Sequence, residues 1–243
     1  PELKTVYGGT ETDQGHSAGT YRIVIIPAAV RHGFEWSEGP IEGVTGKIGE
    51  GADNVQKASS NWLMADTSFS VQARAFKKSK ADIFVISSHP FTTCGILKEL
   101  ARQKASPKMI VGLTSSSSAE VMKGCPKQAE GMIIPTSFAP VTPEAKAVAD
   151  VAAANGASAD LHSAAAWENV MIIKDVMETV GVSANGENLQ ADRRAIRDGL
   201  EALKTTAGLI GTVTRNQEEG EALKPYVFVH AKGGNWEVLH DPR

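Results

Sequence analysis

Cysteine is nearly absent. Cys94 and Cys125 are the only two in 243 residues, which excludes a disulfide-stapled scaffold and any four-cysteine zinc site. Their spacing leaves a disulfide and a pair of buried thiols equally open, and the redox compartment with them. Long apolar runs are missing too. Residues 23–30 and 83–86 are the longest, far short of the roughly 20 residues that cross a bilayer. No apolar stretch follows Pro1-Glu2-Leu3-Lys4, so no secretory signal is visible, and a chain without an initiating Met reads as processed or trimmed. Neither sign of charge dominates, with 25 Lys+Arg against 28 Asp+Glu, and this disfavours non-specific nucleic-acid binding. Trp36, Trp62, Trp167 and Trp236 are scattered and form no stacking series interleaved with basic residues. Core packing is the reading for Trp62 and Trp236, while Trp167 is a candidate to line a cleft.

Catalytic and cofactor signatures are equally scarce. Neither G-x-x-x-x-G-K-[ST] nor a G-x-G-x-x-G after a strand occurs, so nucleotide-dependent chemistry is not expected. There is no H-E-x-x-H, and Ser115 sits in no G-x-S-x-G elbow. His16, His162, His230 and His240 read as surface or capping residues, and no cofactor or metal is expected. Cys94 lies five residues from His89, but a nucleophile–base pair also needs a third group to orient the base, and the sequence offers none.

What remains is ordinary globular material, 42% apolar and 22% charged, organised as short β-rich runs alternating with helix-period segments. This is the pattern of βαβ units on a parallel sheet. Strands are expected at residues 21–26, 82–86, 108–112 and 131–135, with a weaker run at 54–62. Helices are expected at 34–44, from Asp66 or Thr67 through Lys80, after a Thr92 or Thr93 cap, and at 115–123. The run Asp82-Ile83-Phe84-Val85-Ile86 is apolar enough for a central strand buried on both faces. Residues 142–154, 158–180 and 189–204 then read as three helices, broken at Asn155-Gly156 and at 181–188. Strands return at 208–214, 226–231 and 236–239.

In an open α/β sheet, ligands bind beyond the carboxyl ends of the strands. That rule selects the loops 27–33, 87–93 and 113–118. These supply His32, Ser87, Ser88, His89, Thr114 and Ser115, hydroxyl and imidazole groups suited to a small polar ligand. Free N–H groups at the helix starts that follow would favour an anion. For any one Ser or Thr, a capping or turn role competes with ligand binding.

Several phrases in this order carry a family likeness: Trp62-Leu63-Met64-Ala65-Asp66-Thr67-Ser68-Phe69-Ser70 leading to Ala81-Asp82-Ile83-Phe84-Val85; Gly95-Ile96-Leu97-Lys98-Glu99-Leu100; Ala129-Glu130-Gly131-Met132-Ile133; Asp192-Arg193-Arg194-Ala195-Ile196; Gly208-Leu209-Ile210-Gly211; and Lys224-Pro225-Tyr226-Val227-Phe228-Val229 with Trp236. Over residues 12–242 the chain resembles the type 1 periplasmic substrate-binding proteins of ABC transporters, in particular the branched-chain amino acid (leucine/isoleucine/valine) group. The resemblance implies a type 1 periplasmic-binding-protein-like α/β fold. One complete doubly wound parallel-sheet lobe (13–138 and 207–243) would be joined by the helical part of a second lobe (139–206), and the opening third of a typical member would be missing. It implies capture, without chemistry, of a small polar or amphipathic ligand (amino acid, amide or related compound) between lobes, delivery to a membrane permease, and a periplasmic or extracytoplasmic lipoprotein setting. A ligand-sensing regulatory subunit is the rival reading, an α/β hydrolase a distant third.

Carried over residue by residue, His32 stands where the family places a Tyr, and Ser87-Ser88-His89-Pro90 matches a pocket loop. Leu113-Thr114-Ser115 lacks the carboxylate that leucine-type members use for the α-amino group, which counts against an amino acid in particular. The apolar stripes of residues 142–204 lead to the expectation that the chain self-associates through them or is less stable than a two-lobed relative.

Overall fold

The computed structural model describes residues 2–216 and 221–243; Pro1 and residues 217–220, the latter inside the expected 207–243 segment, lie outside the described residues. In chain order the elements are β1 (Thr5–Glu11), α1 (Gly15–Gly19) running through a π-helical stretch (Thr20–Ile25) into α2 (Ile26–Arg31), β2 (Glu35–Trp36), α3 (Ala52–Ala58), β3 (Ser60–Trp62), α4 (Ser70–Ser79) and β4 (Ile83–Ser87). There follow α5 (Pro90–Arg102), β5 (Met109–Gly112), a 3-10 turn (Thr114–Ser116), α6 (Ala119–Gly124), α7 (Pro126–Ala129) and β6 (Ile133–Thr136). The remainder is α8 (Pro143–Ala154), α9 (Leu161–Val180), α10 (Leu189–Ala202), β7 (Thr205–Gly208), β8 (Gly211–Asn216), β9 (Glu221–Leu223), β10 (Val227–Lys232) and β11 (Asn235–His240).

The chain divides into two compact units, Pro1–Pro135 with Phe228–His240, and Thr136–Val227 with Asp241–Arg243. Residues 207–227 therefore fall in the second unit and β1 in the first, where the sequence groups 207–243 with 13–138.

The first unit is built on one sheet of order β11-β10-β6-β5-β4-β1-β2, with β3 also paired to β1. β1 runs parallel to β2, β3 and β4, and β4 runs parallel to β5. β10 and β11 form an antiparallel hairpin. Every residue of β4 is buried, as expected for a strand covered on both faces. Asp82 pins the amino ends of these strands together. It accepts the Lys4 and Thr5 N–H groups at 3.0 and 3.1 Å and pairs with Lys108 at 2.5 Å. These contacts, the Lys108 ammonium first, hold its carboxyl well below the usual carboxylate range.

The expected strand at 21–26 is helical instead. Tyr21 and Ile26 are fully buried while Val24 is 40% exposed, a five-residue spacing that suits a π-helical turn and not a pleated strand. The Tyr21 hydroxyl meets Ser59 Oγ at 2.9 Å, and burial pushes its phenol far up. The true first strand contains Gly8 and Gly9, residues that weaken a strand signal. They are there because a Cβ on Gly8 would stand 2.4 Å from the Val85 carbonyl oxygen and one on Gly9 2.4 Å from the Trp62 ring. No helix forms at 34–44. The two-residue β2 is followed by a loop in which Gly39, Gly43 and Gly46 take positive φ, a conformation that ends helices.

In the second unit α8, α9 and α10 accompany the antiparallel sheet β7-β8-β9. Phe138, Ala145, Ala164, Leu209 and Ile210 form its core. Thr142 caps α8 by accepting the Ala145 N–H at 3.0 Å, and Asp160 with Ser163 forms a capping box on α9. Buried Glu168 accepts the Leu209 N–H at 2.7 Å and pairs with Lys224. Of the expected apolar stripe, Val176 is buried, whereas Val151, Val170 and Ile173 are exposed. Trp167 is 45% exposed and lines a shallow pocket with Val148 and Met171.

Candidate functional site at the carboxyl ends of the parallel strands

The parallel register brings the ends of β1, β4 and β5 to one side of the sheet, with Thr10 opposite Ser87 and Ile86 opposite Gly112. β1 delivers Glu11 there, fully buried. Its Oε1 accepts the His89 backbone N–H at 3.1 Å and the Thr92 hydroxyl, and its Oε2 lies 2.5 Å from His89 Nδ1. α5 begins at His89 without a side-chain cap from its own chain segment. Glu11 takes that place from a neighbouring strand, a carboxylate at the positive end of the helix with its acceptors satisfied. A ligand anion expected at this helix start therefore finds the position occupied by the protein's own carboxylate.

Glu11 also decides what His89 offers. With Nδ1 engaged, the ring orientation is fixed. Among the described residues Nε2 has no hydrogen-bond partner, and the side chain is 38% exposed.

Behind His89 lies a closed hydroxyl network. Ser88 Oγ meets Thr93 Oγ1 at 2.7 Å, Thr93 Oγ1 meets Ser116 Oγ at 2.8 Å, and Ser116 donates to the Ser88 carbonyl at 2.7 Å. Ser115 also donates to that carbonyl, at 3.1 Å, so the β4 and β5 ends are joined by side-chain hydrogen bonds. Ser87 donates to the Ser17 carbonyl at 2.8 Å, and its own carbonyl accepts from Thr10 at 2.9 Å. Ser87, Ser88, Thr93 and Ser116 are fully buried; their hydroxyls hold strand ends together.

The six residues expected from sequence thus separate. His89, Thr114 and Ser115 are half-buried at the strand ends, and Ser87 and Ser88 stand directly beneath them. His32 is elsewhere. It ends α2 just before β2, and β2 pairs with the start of β1 through Thr5 and Glu35, which places His32 at the opposite, amino end of the sheet. Glu11 was missed because residues 5–11 were not read as a strand. The third group that orients His89 exists after all, yet Cys94 is no nucleophile: it is disulfide-bonded to Cys125, which settles the open cysteine question. Among the described residues no group of His, Cys, Asp or Glu could hold a metal ion, and no helix is long and apolar enough to cross a membrane.

A mixed sheet with a parallel centre, gathering its polar groups at the strand carboxyl ends, places the first unit among open α/β ligand-binding folds, and comparison with solved structures gives the type 1 periplasmic-binding-protein fold. Residues 38–235 match the family model for periplasmic binding protein, and the chain belongs to that family. A leucine binding protein from Thermotoga maritima superposes with a TM-score of 0.76 at 19% identity, over 98% of this chain and 61% of its own. An extracellular ligand-binding receptor from Rhodopseudomonas palustris gives 0.78 at 14%, over 98% and 63%. A branched-chain amino acid transporter substrate binding protein from Streptococcus pneumoniae, solved with isoleucine, gives 0.71 at 16%, over 97% and 60%. At these identities the likeness is one of fold, and the chain spans about three-fifths of the length of those proteins. A comparison with curated proteins finds no match.

Proposed function

We propose that this chain is the solute-capturing component of an ABC-type importer, taking up a small polar or amphipathic molecule without chemical change. One observation carries the reading. His89, oriented by a buried carboxylate, stands beside Thr114 and Ser115 at adjoining ends of parallel strands, the place where open α/β sheets bind ligands. The available groups are His89 Nε2, an acceptor in the neutral ring whose Nδ1–H faces Glu11, the Thr114 hydroxyl, and the Ser115 oxygen, whose proton goes to the Ser88 carbonyl. They suit an amide or urea-like end, which brings N–H donors together with an acceptor, and the engagement of Glu11 by His89 and Thr92 leaves no free acid there for an ammonium. An amide or urea-like solute is therefore favoured over one recognised by a charged amine or a carboxylate alone. A membrane permease is the proposed partner, and an extracytoplasmic setting suits the Cys94–Cys125 disulfide.

A thermal-shift screen of amino acids, their amides and ureas tests this. A binding molecule raises the melting temperature by mass action and is recovered unchanged. His89→Ala and Ser115→Ala abolish the shift. A hit whose shift survives both substitutions, or a screen without a hit, rejects the assignment.

A further inference from the structure

A concavity of about 640 Å³ lies along the flank of α5 and involves none of the strand-end hydroxyls. This size is typical of small-molecule sites, which are mostly apolar with a few placed polar groups. Its lining has that character: Met64, Phe69 and Phe91 with Gly95, then Lys98 and Glu120. His89 borders it as well.

Three features indicate a formed cavity. Gly95 is inside a thirteen-residue helix, where glycine costs about 0.5–1 kcal/mol relative to alanine. A Cβ there would stand 2.2 Å from the Phe69 ring, so glycine lets buried Phe69 close against the helix. The opposite wall is tied covalently, because Cys94 of α5 is bonded to Cys125 at the end of α6. A tethered wall limits the ordering cost of binding. The rim, finally, exposes apolar surface to water, with Phe91 64% and Met64 45% exposed.

Charge selects the ligand. Glu120 is paired with Lys123 at 3.1 Å, whereas among the described residues Lys98 has no carboxylate partner. We propose that this pocket binds an amphipathic carboxylate, an aromatic or aliphatic body lying on Phe69, Phe91 and Met64 with its carboxylate on Lys98. It would be a second ligand site beside the strand-end one.

Isothermal titration of the oxidised full chain with 4-phenylbutyrate, and with 4-phenylbutanamide as its uncharged counterpart, tests the assignment. The carboxylate is expected to bind saturably at one site, and the amide about tenfold more weakly. Lys98→Glu and Phe91→Ser, both on exposed side chains, should each weaken the carboxylate by about tenfold or more without shifting the melting temperature by more than about 3 °C. Thr114→Val, at the strand ends, should leave it bound. No saturable binding below about 10 mM, equal affinity for acid and amide, or loss with Thr114→Val but not with Lys98→Glu overturns the proposal. The carboxylate–amide comparison on the unaltered chain decides the matter even if a variant fails to fold.

Discussion

Replacing Glu11 by Gln keeps the side chain's volume and removes its charge at the junction of β1, β4 and α5. The carboxylate accepts from the His89 N–H and the Thr92 hydroxyl and faces His89 Nδ1. An amide has one acceptor oxygen for these groups and turns its NH₂ toward one of them. Thr92 has an alternative, the His89 carbonyl at 3.3 Å, and a neutral imidazole can change tautomer. The loss thus amounts to about one charge-assisted hydrogen bond and the favourable charge at the helix start, about 2–3 kcal/mol in sum. Urea unfolding at pH 7 measures this from the midpoint, with an unchanged slope. Glu120→Gln, an exposed pair with Lys123, is the control and should cost less than about 0.5 kcal/mol. His89→Ala and the double variant complete a cycle whose coupling energy should exceed about 1 kcal/mol. If Glu11→Gln costs no more than the control, or the cycle shows no coupling, Glu11 is not the group that sets His89.

Converting Cys94 and Cys125 together to Ser opens a loop of 31 residues' separation, for which chain entropy gives about 3–4 kcal/mol; reduction of the unaltered protein should lower the melting temperature as much as the double substitution, and no change on reduction would show that the thiols are not paired. Asp82 and Glu99 both titrate below their unperturbed values, Glu99 at about 2 through Arg102 and Gln103, so the stability they supply is present above about pH 4.5 and is lost as pH falls through their folded-state values. Asp82→Asn should flatten the acid limb of the stability profile between roughly pH 4 and 2, and a limb identical to the unaltered protein's would remove Asp82 as a contributor.

Much of the first unit was legible from its alternation of apolar runs and helix signals. The run Asp82-Ile83-Phe84-Val85-Ile86 is too short and too uniformly apolar for anything but a buried strand once turn chemistry bounds it, and β4 covers Ile83–Ser87. The half-buried groups His89, Thr114 and Ser115 followed from placing strand ends correctly. Two errors share one physical origin. A short apolar run has no period by which strand and helix can be told apart, so residues 21–26 were read as the first strand. Their burial, set by Tyr21 reaching Ser59, is a tertiary fact. That misplacement carried His32 into the site and left Glu11 out, because Gly8 and Gly9 weaken the strand signal of residues 5–11 unless the crowding from Val85, Tyr21 and Trp62 is known. The inward use of Ser88, Thr93 and Ser116 was also hidden, since a hydroxyl at a strand end reads the same whether it faces a ligand or its neighbour.

Native mass spectrometry of the freshly purified chain tests the central claim most directly, that His89, Thr114 and Ser115 hold a small solute. A single small-molecule adduct per chain is expected, released intact on collisional activation and absent from His89→Ala and from the Thr114→Val/Ser115→Ala pair. An unadducted chain that takes up none of the amino acids, amides or ureas added to it, or such an adduct retained by those variants, would contradict the account.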